Sequence, residues 1–223
     1  MAGSLKAYVP LLARRLGTTP AALYERQRAL VRDGILGHVE GRGPGSGVQV
    51  GPYQVALLLV AVLATDSLSE TGDKVRVLAT AKSIAKGAIC LLTREPTFVE
   101  AVARVLDMTR DYWRNTVSIA VRRTTGSASI TYSDKLRSGV SVFEAQIPHD
   151  AQLRAPTSLK VDATLTRDLV IAIASDLKKI AESGRRGRSA ALEGVAGSEQ
   201  RIRPHGRRRR SVKQPRLKGG KKI

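Results

Sequence analysis

Cysteine is almost absent from this chain of 223 residues: Cys90 stands alone. A single thiol cannot form an intramolecular disulfide or supply a cysteine-based zinc site, and it suits a reducing compartment. Aromatics are scarce as well, five Tyr, two Phe and one Trp, so a core must be built from Leu, Val, Ala and Ile and is expected to be helix-rich. The longest apolar run, residues 55–64, is half the length a hydrocarbon core demands and lies too far in for a secretory signal. No membrane partner is expected, and the location implied is cytoplasmic. Acid is the last scarcity. Nineteen Asp and Glu face 38 Lys and Arg, a net charge of +19 with pI near 10.9, which excludes an acidic tail and makes polyanions the first partners to consider.

The basic excess is concentrated. Residues 183–223 carry fourteen Lys and Arg, among them Arg207, Arg208, Arg209 and Arg210, against Glu193 and Glu199 only. Interleaved with Gly, Ser and Pro and free of aromatics, such a segment cannot offset its ordering entropy by burial, so 184–223 is expected to be a disordered basic tail. A solvated run without function is the bland reading of it. A second basic patch lies within residues 1–50, whereas 51–182 are nearly balanced.

Residues 11–33 have the shape of a helix, a tight turn and a second helix. Gly17 supplies a left-handed turn residue, Thr19 an N-cap and Pro20 a first helical position, and the second helix stops at Asp33-Gly34. A 100° step turns Leu23, Ala22, Gln27, Leu30 and Val31 inward and leaves Ala21, Tyr24, Glu25, Arg28 and Arg32 outward. That outward set suits a recognition helix: a small residue at the start admits the groove wall, and long polar side chains follow one and two turns on. Thr18 and Thr19 sit at its leading end. Residues 35–40 and 48–50 alternate around the Gly-rich loop 41–47, which reads as a hairpin whose glycines and Arg42 approach phosphates. The plainer alternatives are an αα-hairpin and a flexible loop. GRGPGSG also lacks the Gly-Lys-Ser/Thr of a P-loop.

The string LARRLGTTPAALYERQRALVRDGIL, then GRGPGSGVQV, then PYQVALLLVAVLA and the later TVSIAVRRTTGSASITY resemble winged helix-turn-helix proteins of alphaproteobacterial prophages and mobile elements, over roughly residues 8–147. The resemblance implies double-stranded DNA binding more than any precise role. Only nine residues precede Pro10, too few for a full first helix, so the third helix of a tri-helical core is expected from residues 52–64 or from a second subunit.

Farther on, residues 52–64 make an apolar helix buried on most sides, covered by the core or by a dimer interface. Helical spacing continues over 74–92 and turns Ile84 inward with Cys90 beside a buried stripe. Thr97 to Glu100 is a capping box opening a helix to about Tyr112. Alternation around 117–121, 128–132 and 140–147 predicts a three-stranded antiparallel meander. Helical spacing returns over 162–183, with Gly184 as its stop. The expected architecture is α+β: 1–51 a winged helix-turn-helix, 52–183 an interaction or dimerisation domain, 184–223 the tail.

No catalytic constellation is found. His38, His149 and His205 have no metal-ligand spacing, and nucleophile-elbow and H-E-x-x-H motifs are missing. Neither a metal nor a cofactor is expected. The leading expectation is a non-enzymatic, sequence-specific DNA-binding transcriptional regulator, acting as a homodimer. One alternative is an architectural or replication/partition protein that binds DNA mainly through charge. Another is a metal-dependent DNA-processing enzyme built on carboxylates such as Glu100 and Asp107.

Overall fold

The Thr19-Pro20 signal does locally what its chemistry dictates. In the computed structural model, which describes residues 3–37, 47–135, 137–145 and 161–196 (side chains as far as 183), the Thr19 hydroxyl accepts the Ala22 amide at 3.2 Å and opens α2, Pro20–Arg32. The helix before it, α1 (Leu5–Leu16), starts at a Ser4 cap and runs straight through Pro10. A helix beginning near Leu11 is thus corrected: there is room for a full first helix. Proline at that place removes the amide that would bond the Lys6 carbonyl, and the freed carbonyl is taken by the Tyr24 hydroxyl of α2 at 3.1 Å.

Both helices end in the same way. Gly17 (φ 65°) lets the Thr18 amide reach back to Ala13 at 3.0 Å, and Gly34 (φ 71°) lets the Ile35 amide reach Leu30 at 2.8 Å. Each is a six-to-one closure that needs the left-handed residue. Ile35 and Leu36 are consumed by that closure, Leu36 also bonding Leu30 at 3.2 Å, so they are not the extended start of a hairpin. Residues 38–46, the body of the expected hairpin, lie outside the described residues; the described end of its return strand runs beside the chain start, with Leu5 N–H to Val48 at 2.8 Å and Val50 N–H to Gly3 at 2.9 Å.

α3 (Pro52–Ala64) is apolar on every side because it is buried on every side: residues 55–61 are all at or below 2% exposure. α2, α4 (Thr71–Ala79), α5 (Phe98–Leu106) and the sheet enclose it within one chain. Each of its three consecutive leucines contributes roughly 2 kcal/mol by burial. The helix ends at Thr65 without a C-terminal glycine, and its last carbonyls and those just beyond are met by two arginines. Arg123 Nε and Nη2 donate to Leu63 and Val62 at 2.8 and 3.2 Å, and Arg26 Nη2 donates to Thr65 and Asp66 at 3.3 and 3.4 Å.

Among the described residues five strands form one antiparallel sheet in the order β1-β4-β3-β2-β5: β1 (Lys82–Ser83), β2 (Thr116–Arg122), β3 (Ser127–Ser133), β4 (Ser138–Glu144) and β5 (Asp162–Thr166). The expected trio β2, β3 and β4 therefore gains an edge strand on each side. β5 replaces the first turn of the helix expected from Asp162: its D-A-T-L-T alternates, and the free edge of β2 offers a ladder that the helical reading could not foresee. The short helix α6 (Tyr112–Asn115) precedes β2, and the terminal helix α7 spans Arg167–Ala196, so Gly184 does not stop it.

Two other helices are shorter than their spacing suggested. α4 ends at Ala79, and Ile84 lies 60% exposed rather than inward, because residues 82–84 extend along β4. α5 ends at Leu106, where Asp107 is extended, although its Thr97 cap forms as expected, accepting the Glu100 amide at 3.4 Å. The chain divides into two units, Met1–Arg188 and Ser189–Ile223. A single hydrophobic cluster joins residues from 5–36 and from 55–177.

Candidate nucleic-acid interface

α2 buries Leu23 and Leu30 completely and Ala29 nearly so. Opposite them, Ala21, Glu25, Arg28 and Arg32 are all exposed, at i, i+4, i+7 and i+11, which makes one straight stripe along the helix. The Arg28 and Arg32 side chains are 78% and 73% exposed; Arg28 pairs with Glu25 at 2.9 Å and Arg32 with Asp33 at 3.3 Å. Ion pairs this exposed contribute little, about 0 to 1 kcal/mol, so either guanidinium can leave its carboxylate for a phosphate or a base edge at small cost.

The other nominated residues divide into those with structural duties and those outside the described residues. Tyr24 is half-buried and its hydroxyl is engaged by Lys6. Thr19 spends its hydroxyl as the cap, and Thr18, half-buried, spends its amide closing α1. Arg42 and Arg207, Arg208, Arg209 and Arg210 lie outside the described residues.

On α1, Lys6 and Arg14 are exposed, while the neighbouring Arg15 turns to α7. Arg15 Nε and Nη2 hold the Asp176 carboxylate at 3.2 and 3.3 Å, and Asp176 is 6% exposed. The bidentate pair anchors the helix pair to α7, 161 residues away. Beside it the buried Tyr8 hydroxyl has no hydrogen-bond partner; burial, and next the Asp176 charge, push its pKa well above the ordinary phenol value, with Arg15 opposing. Nothing in the spacing of LARRLG distinguishes Arg14 from Arg15, which is why the anchoring role escaped the sequence.

The carboxylates nominated for metal chemistry do not converge. Glu100 and Asp107 stand at the two ends of α5, about 10 Å apart along its axis. Glu100 accepts the Thr97 hydroxyl at 2.6 Å, and Asp107 accepts the Thr109 amide at 3.1 Å. Arg123 holds Asp66, and Arg76 holds Asp73 at 3.4 Å. Among the described residues no group of three or more His, Cys, Asp or Glu is placed to hold a metal ion. Cys90 is fully buried with its sulfur 3.5 Å from the Ser141 hydroxyl. No described helix is long and apolar enough to cross a membrane.

Comparison with known proteins returns nothing: no family model, no curated protein and no solved structure matches this chain.

Proposed function

We propose that this protein binds double-stranded DNA by laying α2 in the major groove, and that it acts as a sequence-specific transcriptional regulator. The observation that carries the reading is the stripe Ala21-Glu25-Arg28-Arg32. It begins at a capped, small-residue helix end and presents two exposed guanidiniums held only by surface ion pairs. In this reading α1 crosses the phosphate backbone with Lys6 and Arg14, and Arg42 and the C-terminal arginines, outside the described residues, add charge toward the same polyanion. The winged helix-turn-helix proteins of prophages and mobile elements supply the functional analogy.

Selection of bound duplexes from a random pool tests the proposal directly. A defined motif is expected. Arg28→Ala should then weaken that site by about 1 to 3 kcal/mol while leaving random DNA nearly unaffected, since base contacts specify and phosphate contacts position.

A second reading has an observation of its own. Most of the net charge lies in residues 183–223 rather than on α2, which favours an architectural protein binding mainly through counterion release. An unenriched pool, with equal loss on all sequences for Arg28→Ala, would decide for it.

A further inference from the structure

The side of the sheet turned away from α3 and α5 is made of small, uncharged side chains at its centre. Inward positions such as Ile119, Val121, Ile130 and Phe143 are fully buried; no residue facing outward from these strands is. In the two rows at the middle of the face the three central strands turn Ser118 and Ala120, Ser129 and Thr131, Val140 and Val142 outward, and the row beyond them turns out Arg122, Ser127 and Glu144. A solvated antiparallel face ordinarily carries polar side chains; here Ala120, Val140 and Val142 stand among Ser118, Ser129 and Thr131. In a chain that is 26% charged, six adjoining positions without charge, with Val140 at 49% exposure and Ile84 at 60% on the flank, call for a flat partner.

The register identifies that partner. Across the sheet the outward residues fall into rows. The end row reads Lys82, Glu144, Ser127, Arg122, Asp162, so its charges run plus, minus, none, plus, minus. A two-fold axis laid along β3, midway between two stacked copies, reverses the row on the partner. Lys82 then faces Asp162 of the second copy, Glu144 faces Arg122, and Ser127 faces itself; Arg122 and Asp162, paired at 3.2 Å within each chain, would each gain a second opposite charge from the partner. The next row obeys the same operation: Ile84 opposes Thr164 and Val142 opposes Ala120, large against small, while Ser129 meets its own copy. In the third row Val140 opposes Ser118 and Thr131 meets Thr131.

We propose that this face is the homodimer interface, with a second copy of the chain stacked on it about the β3 two-fold. Sheets pack about 10 Å apart, and small side chains along the axis permit that approach. Five strands about 4.8 Å apart and three outward rows about 6.8 Å apart make a face of roughly 490 Å², hence about 1,000 Å² buried by two copies. That only reaches the threshold for a biological interface and falls among weak, transient ones, so the dimer is a weak one. The inference rests on the sheet and not on the DNA reading, and either can fail alone.

Sedimentation velocity of the full chain, free of nucleic acid and over a micromolar concentration series, tests it. The wild type should pass from monomer to dimer within the series. Thr131→Arg places two like charges on the axis and should weaken the dimer by about tenfold or more. Glu144→Arg should also weaken it, by facing Arg122 of the partner. The variant K82E/E144R/R122E/D162K inverts the whole row, so positions 122 and 162 stay oppositely charged within the chain and every charge again meets its opposite across the axis; it should return to within about threefold of wild type. A misfolded sheet would not be rescued by further charge changes. A wild type that stays monomeric throughout overturns the proposal, as does a Thr131→Arg dimer of unchanged strength. Weakening by Glu144→Arg without rescue in the row-inverted variant overturns it too.

Discussion

Removing Arg15 should damage this protein more than removing its partner Asp176. The two side chains differ in exposure: the guanidinium is 42% exposed, the carboxylate 7%. Arg15→Ala strands a buried charge, and breaking a buried pair from that side costs about 3 to 5 kcal/mol. Asp176→Ala leaves a guanidinium that can turn to water, so only the charge-assisted hydrogen bonds are lost, about 1 to 2 kcal/mol after solvent discounting. The double variant contains neither charge and should resemble Asp176→Ala, not the sum of the two. For a domain of this size a destabilisation of 1 kcal/mol lowers Tm by roughly 2 to 4 °C. Arg15→Ala should therefore melt about 10 °C below wild type, and the other two variants about 4 °C below. Urea unfolding of all four proteins measures the coupling. Additive losses, or a smaller loss for Arg15→Ala than for Asp176→Ala, would refute the argument that the buried carboxylate sets the penalty.

Three further outcomes rest on other parts of the molecule. Tyr24→Phe should cost about 1 kcal/mol by leaving the Lys6 carbonyl without a protein donor, and most of that loss should vanish in a Pro10→Ala background, where the helix amide returns; additive effects in unfolding midpoints would show that the two residues do not share that carbonyl. The Arg123 hydrogen bond, with Arg123 and Arg26 charge assisting, holds the Asp66 carboxyl below its ordinary 3.8. A depressed carboxylate stabilises the fold above its unfolded pKa and loses that contribution as pH falls through the folded one, so the Asp66 signal in an NMR titration should move up in Arg123→Gln, whose stability should fall less on acidification below about pH 4. Truncation after Ala196 should leave the melting transition in place and flatten the dependence of log K on log salt by about 0.9 for each phosphate that the shortened chain no longer neutralises; identical slopes for the two chains would show that the deleted arginines do not touch DNA.

Local chemistry was legible in the sequence wherever a signal closes on itself within a few residues. Thr19 with Pro20, Gly17, Asp33-Gly34 and Thr97 with Glu100 each satisfy amides or carbonyls no more than five positions away, so their hydrogen bonds need no knowledge of the fold. The alternation in β2, β3 and β4 has the same character, since a period of two states which face is buried. The stripe Ala21-Glu25-Arg28-Arg32 follows from the helix period once Leu23 is taken as inward. Residues 82–84 and 162–166 satisfy both periods, and only the edges of β4 and β2 decide that they are strands rather than helix.

What remained was settled by partners far along the chain. Pro10 stays inside α1 because a tyrosine fourteen residues on takes the orphaned carbonyl. α3 needs no glycine at its C-terminus because arginines from α2 and from beyond β2 reach that end. Arg15 is an anchor rather than a free cation because α7 brings Asp176 to it. Composition specifies how many guanidiniums a chain has, but whether one caps a helix, balances a buried acid or faces solvent depends on which carbonyls and carboxylates the tertiary structure leaves unsatisfied beside it.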